Sequence, residues 1–187
     1  MATIPGTNNG ENLYGTDYAD TIDAKGGNDT VHAMGGDDTV RGGAGDDKLY
    51  GDAGNDRIYG EAGDDRIEGG AGNDWLDDGD GKDVIHGGSG SDMIYGGKGA
   101  DDFYFHKGDT GYAKTAGVDQ IHDFGATDKI YLEGNYKYAA DADHLKVGEY
   151  GISGSGTDWH VSYNSGDGGV HDIHVTGDNP HGQVAFF

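Results

Sequence analysis

From Gly6 to Tyr104 the aliphatic positions stand alone and nine residues apart: Leu13, Ile22, Val31, Val40, Leu49, Ile58, Ile67, Leu76, Ile85 and Ile94, closing on Phe103. Most are flanked on both sides by polar or aromatic residues, as Leu49 is by Lys48 and Tyr50; Val84 and Met93 are the apolar exceptions. Successive side chains of a strand point to opposite faces, so each triplet reads as a short strand with one residue turned inward. The six residues between triplets are rich in Gly, Asn and Asp, which are turn formers. Three-residue strands alternating with six-residue turns predict an all-β molecule whose core is one side chain wide.

The period is strict. Cut every nine residues from Gly6, the chain gives GTNNGENLY, GTDYADTID, AKGGNDTVH, AMGGDDTVR, GGAGDDKLY, GDAGNDRIY, GEAGDDRIE, GGAGNDWLD, DGDGKDVIH, GGSGSDMIY and GGKGADDFY. Position four is Gly from the third unit onward. Position six is Glu11 and then Asp20, Asp29, Asp38, Asp47, Asp56, Asp65, Asp74, Asp83, Asp92 and Asp101. Position five is mostly Asn or Asp, as suits a turn that bonds its own backbone. Three units depart: the first has Glu11 at position six, the second lacks the Gly, and DGDGKDVIH opens on Asp78 and places Lys82 in the turn.

GGAGDDKLY and its neighbours resemble the nonapeptide G-G-x-G-x-D-x-U-x of RTX proteins, a calcium-binding β-helix repeat. The resemblance implies a right-handed parallel β-roll, two nonapeptides per coil, capped by an irregular all-β C-terminal segment. It also implies how Ca²⁺ is held. One turn gives the carbonyls of positions two and four and its Asp; the turn one coil further on gives those of positions one and three and its own Asp. One such site takes Gly43, Gly45 and Asp47 with Gly60, Ala62 and Asp65. Its neighbour in the other file takes Asp52, Gly54 and Asp56 with Gly69, Ala71 and Asp74. Carried along the chain, the ligand set adds the carboxylates of Asp20, Asp29, Asp38, Asp83, Asp92 and Asp101. The turn residues it adds are Gly27, Gly36, Gly42, Ala44, Gly51, Ala53, Glu61, Gly63, Gly70, Gly72, Asp78, Gly79, Asp80, Gly81, Gly87, Gly88, Ser89, Gly90, Gly96 and Lys98. Eleven turns make nine pairs; setting aside those with Glu11 or the Asp20 turn leaves about seven ions.

Calcium also resolves a conflict in the composition. The chain has 187 residues, net charge −23, 39 Gly and 33% hydrophobic residues, a balance that favours disorder. Residues 6–104 alone carry 23 acids against 7 Lys and Arg. Ca²⁺ accepts six to eight oxygens, carboxylate and carbonyl alike, and so neutralises and orders such turns. The acidity speaks against nucleic acid and anionic membrane surfaces as partners. DGDGKDVIHGGS is not an EF-hand, because Lys82, Asp83 and Ser89 stand where that loop needs a ligand, Gly and Glu.

Cysteine is absent, which excludes disulfides and thiolate sites. Residues 1–5 read as a short leader segment; MATIPGTNNGENLYG has neither the basic nor the apolar region of a cleaved export signal. No apolar run approaches a membrane span.

After Tyr104 the nonapeptide register ends, and 105–187 is expected to cap the roll, with Phe103 and Phe105 at the junction. VDQIHDFGATDKIYLEG resembles the segment that follows the repeats in RTX proteins, including serralysin-type proteases and alginate epimerase R-modules. DWHVSYNSGDGGVHDIHV alternates apolar residues about a Gly-rich loop and reads as a hairpin. QVAFF resembles the C-terminal ends of type I secretion substrates, which implies an extracellular destination and the type I secretion machinery as a partner.

No catalytic motif emerges. H-E-x-x-H and G-x-S-x-G are missing, and the expectation is a non-enzyme. His171 and His174 fall on opposite faces of a strand and are read as non-ligands. Two functional classes remain: a secreted calcium-dependent folding module, and a module gripping an acidic polysaccharide. Arg41, Lys48, Arg57 and Arg66 lie in consecutive units among Tyr50, Tyr59 and Trp75, and are candidate glycan contacts. The competing reading of these cations is charge balance against the crowded Asp.

Overall fold

The structure is a computed structural model describing residues 1–106, 109, 118–134, 137–138, 149–164 and 171–186. The repeats supply β1 (Thr3–Pro5), β2 (Asn12–Tyr14), β3 (Thr21–Asp23), β4 (Thr30–His32), β5 (Thr39–Ala44), β6 (Lys48–Tyr50), β7 (Arg57–Ala62) and β8 (Arg66–Ala71). They continue as β9 (Trp75–Gly81), β10 (Val84–Ser89), β11 (Met93–Tyr95), β12 (Lys98–Gly99) and β13 (Asp102–Phe105). Beyond them lie β14 (Asp119–Phe124), β15 (Lys129–Leu132), β16 (Lys137–Tyr138), β17 (Glu149–Ser155), β18 (Asp158–Tyr163), β19 (His171–Gly177) and β20 (Val184–Phe186).

The fold is a parallel β-roll. Odd strands β1 to β11 stack into one sheet and β2, β4, β6, β8, β10 and β13 into the other, each strand paired with its counterpart two nonapeptides on. Thus Val40 lies on Ile58 and Leu49 on Ile67. The position-eight side chains from Ile22 to Phe103 are buried between the sheets, as the one-residue core requires.

Sequence register and hydrogen-bonded ladder part company at Tyr104. Strand β14 stacks on β11 with Ile94 against Ile121, and β15 on β13 with Phe103 against Ile130. The partners in these pairs are separated by three nonapeptide lengths of chain instead of two. Asp119 and Asp128, themselves one nonapeptide apart, take the place of position-six acids, so the ladders gain a further coil. Phe105, Phe124 and Leu132 thicken the core at this end.

The first sheet then turns antiparallel. β19 adds to β14, and β18 and β17 follow, with the expected hairpin between β18 and β19. The β17–β18 loop is Gly156 and Thr157, with Gly156 at φ 66° in its first position, as a tight hairpin requires. Ile152, Val161, Tyr163, Ile173 and Val175 are buried beneath these strands. The C-terminal VAF forms β20 and closes the second sheet against β15.

Candidate metal centre

Turn geometry follows from the repeat. From the third unit on, position two lies in the left-handed region, as at Gly43 (φ 107°), and so does position four, as at Gly45 (φ 127°), except at Gly81 and Gly99. Position two tolerates Lys25, Met34, Asp52 and Glu61 there at a strain cost. Position four holds Gly because the stacked coil is too close: a Cβ on Gly63 would meet the Gly45 carbonyl oxygen at 2.1 Å. Gly72 and Gly90 are as tightly pressed on the carbonyls of Gly54 and Gly72.

The position-six carboxylates form two files, one along each edge of the roll. From Asp38 on, each accepts at Oδ1 from the backbone N–H of the Asp one coil earlier. Asp47 N donates to Asp65 at 2.8 Å, Asp65 N to Asp83 at 2.7 Å, and Asp56 N to Asp74 at 2.8 Å. The files run on past the repeats, since Asp92 N donates to Asp119 and Asp101 N to Asp128.

The other oxygen has no protein partner. Oδ2 of Asp29, Asp38, Asp47, Asp56, Asp65, Asp74, Asp83, Asp92, Asp101 and Asp119 is buried and accepts no hydrogen bond. A buried, unpaired carboxylate oxygen is costly and calls for a cation. Burial, followed by neighbouring Asp, pushes these groups up: Asp38, Asp47, Asp83 and Asp92 to about 6, and Asp56, Asp65, Asp74 and Asp101 to about 7. Asp119 is pushed up to about 8. A hard divalent cation between coils would satisfy the orphan oxygens, so the donor set fits calcium.

The first coil differs. Asp20 accepts bonds from Thr16 Oγ1 (2.7 Å) and Ala2 N, which hold its carboxyl below the usual range. Glu11 turns back to accept from Thr7. Both are already satisfied.

Asp78 carries more than its expected backbone role. Position one faces its own unit's Asp, as Gly60 shows, where a Cβ would lie 2.5 Å from Asp65 Oδ2. Asp78 therefore points its carboxylate inward, with Oδ1 accepting from Gly79 N at 2.7 Å and Oδ2 unpartnered. Burial, with Asp83 and Asp101 beside it, pushes it up to about 9. The three carboxylates offer oxygens within 4.8 Å of one another. Its neighbour Asp80 instead faces solvent and pairs with Lys98.

A family model, the RTX calcium-binding nonapeptide repeat, matches four times, at 5–40, 14–49, 41–76 and 77–110. The chain belongs to this family. Its matches span more than half of the chain, and the RTX repeats make it a calcium-binding module. No curated protein sequence matches it. Among solved structures it is similar to the R2 subunit of the Azotobacter vinelandii mannuronan C5-epimerase AlgE6. Identity there is 25%, covering 79% of this chain and 91% of that one, with a TM-score of 0.46. The R3 subunit of that enzyme is 21% identical over 96% of this chain and 80% of its own, with a TM-score of 0.38. Extracellular lipase LipA of Serratia marcescens is 15% identical over 97% of this chain and 40% of the lipase, with a TM-score of 0.34.

The candidate glycan contacts divide between two faces. Lys48 lies in register with Arg66 beside Tyr50 on the second sheet. Arg57 lies in register with Trp75 on the first, where Arg41 sits 4.7 Å over the Tyr59 ring. Arg41 also reaches Glu61 at 3.2 Å and Arg66 approaches Glu68 at 3.7 Å, so charge balance engages part of the set.

Proposed function

We propose that this RTX module is a secreted structural and binding element that folds on calcium outside the cell and is not itself a catalyst. One observation carries the reading: the unpaired, buried Oδ2 atoms along both edges of the roll. Seven coil-to-coil pairs from Asp29–Asp47 to Asp83–Asp101 have this oxygen free on both members, which supports about seven ions. Asp92–Asp119 offers an eighth pair. The ligands are the Asp carboxylates and the carbonyls of turn positions one to four. A chain of net charge −23 stays unfolded where calcium is scarce, a state fit for export through a type I channel, and orders where calcium is plentiful. The test is a calcium titration followed by circular dichroism. A cooperative gain of β-signal at roughly 10⁻⁴–10⁻³ M, the range of extracellular calcium modules, is expected. A β-signal that persists in excess chelator at neutral pH would refute the reading.

A second reading adds binding of an acidic polysaccharide. It rests on the register pair Lys48–Arg66, two cations side by side on an exposed face with Tyr50 adjacent. The double variant Lys48→Glu, Arg66→Glu is expected to lose glycan binding and keep calcium-induced folding. Wild-type protein without affinity for any acidic glycan at low salt, where such contacts are strongest, defeats it.

A further inference from the structure

We propose that the antiparallel end of the first sheet carries a separate site for a borderline divalent metal ion such as Zn²⁺ or Cu²⁺, built from His160, His174 and Asp158. Strands β18 and β19 place His160 directly opposite His174 on the outer face. Their rings stack with centroids 4.8 Å apart and planes 17° from parallel. Asp158 precedes His160 by two positions on the same face, and its Oδ1 lies 2.6 Å from His174 Nε2. The three residues offer ligand atoms that all lie within 4.8 Å of one another. All three reach solvent, with Asp158 the most exposed.

The surroundings orient the ligands. Asp172 Oδ2 accepts from His160 Nδ1 at 2.9 Å, and its Oδ1 accepts from Ser162 Oγ at 2.8 Å. Asp172 is thereby fixed, and it leaves the lone pair of His160 on Nε2. A carboxylate holding the far nitrogen of an imidazole is the usual support of a metal-ligating histidine. At His174 a cation between Nε2 and Asp158 Oδ1 would take the place of the hydrogen bond they make, with the neutral ring carrying its N–H on Nδ1. Two imidazoles and one carboxylate suit zinc or copper, whereas calcium prefers an all-oxygen cage. The roll and the hairpin would therefore select different ions in one solution, with coordination positions left open to water at the hairpin.

The site is tested on the full-length, calcium-loaded protein by isothermal titration with Zn²⁺ in excess calcium. One saturable zinc per chain is expected for wild type, and none for His160→Ala or His174→Ala. Asp172→Asn is expected to weaken zinc by roughly 10–100-fold while leaving calcium-induced folding unchanged, since Asp172 positions a ligand without being one. His32→Asn, on the far sheet, is the control and should bind zinc as wild type does. Because the alanine variants could perturb the hairpin, Cu²⁺ electron paramagnetic resonance on wild type supplies an independent readout: nitrogen hyperfine structure from two imidazoles is expected. Wild type without saturable zinc, alanine variants that bind normally, or a copper spectrum without nitrogen coupling would each overturn the assignment.

Discussion

Asp65 shows what a single position-six residue does. Its Oδ1 satisfies Asp47 N, its own N–H donates to Asp83, and its Oδ2 is buried and unpaired between those two neighbours in the file. Asp65→Ala removes a carboxylate from two proposed calcium sites and orphans the buried N–H of Asp47, the latter alone costing about 1–3 kcal/mol. The calcium midpoint, read by circular dichroism, is expected to rise, and a variant with an unchanged midpoint would show that Asp65 holds no ion. Gly63 matters for a different reason. With φ 138° and the Gly45 oxygen 2.1 Å from a would-be Cβ, Gly63→Ala must push coils apart and is expected to raise the midpoint as well. Thermal melts in saturating calcium check it, with a lower Tm expected. Both residues were legible, because an in-phase Asp and an in-phase Gly each have one physical use here. Asp78 was legible only as a departure from Gly. That its carboxylate is buried beside Asp83 and Asp101 follows from the direction of a position-one side chain, which no repeat count reveals.

At the scale of elements, the place of each strand was readable, because the resemblance to RTX repeats puts one at every triplet. Strands β5, β7, β8, β9 and β10 nevertheless run on through the first turn positions to six or seven residues, since the stacked turns also pair with the coils above and below. The coil made by β14 and β15 was not readable. Its connecting segment is a nonapeptide longer, and its turn, Asp123 to Thr127, holds one glycine, so the signal in the glycines vanishes while Asp119, Ile121, Asp128 and Ile130 keep the spacing of acid and core. The histidine pair was hidden for a related reason. His160 and His174 stand on different strands and meet only through the β18–β19 register, whereas the adjacent-looking His171 and His174 point to opposite faces. These elements also predict how far the roll depends on the strands beyond Tyr104. Without β14 and β15, the faces of Ile94 and Phe103 lose their cover, and Asp92 N and Asp101 N lose Asp119 and Asp128. A 1–104 fragment is therefore expected to need more calcium to fold than the whole chain, and a 1–134 fragment less than 1–104. Equal midpoints for 1–104 and the full chain would show that the later strands are dispensable to the roll.

For the whole molecule, protons and calcium compete for the same oxygens. Asp47, Asp56, Asp65, Asp74 and Asp101 have an ordinary value of 3.8 and are raised by burial to about 6–7 in the folded roll. Each therefore takes up a proton on folding, and its contribution to metal-free stability is fully present below about pH 4 and lost as pH rises through about 6–7. Net charge, −23 at neutral pH, works in the same direction. In calcium-depleted buffer the chain is thus expected to gain β-signal as pH falls from 8 to about 5.5 and to lose it on return. Calcium replaces those protons, so its apparent affinity runs the other way: the midpoint should fall as pH rises from 5.5 to 8, with protons released on binding. A change of acids elsewhere on the surface cannot mimic this pairing, because those carboxylates hold no ion between coils. Dichroism at matched ionic strength across that pH range, with and without calcium, measures both trends. A calcium midpoint independent of pH would mean that the buried Asp files are not where calcium enters.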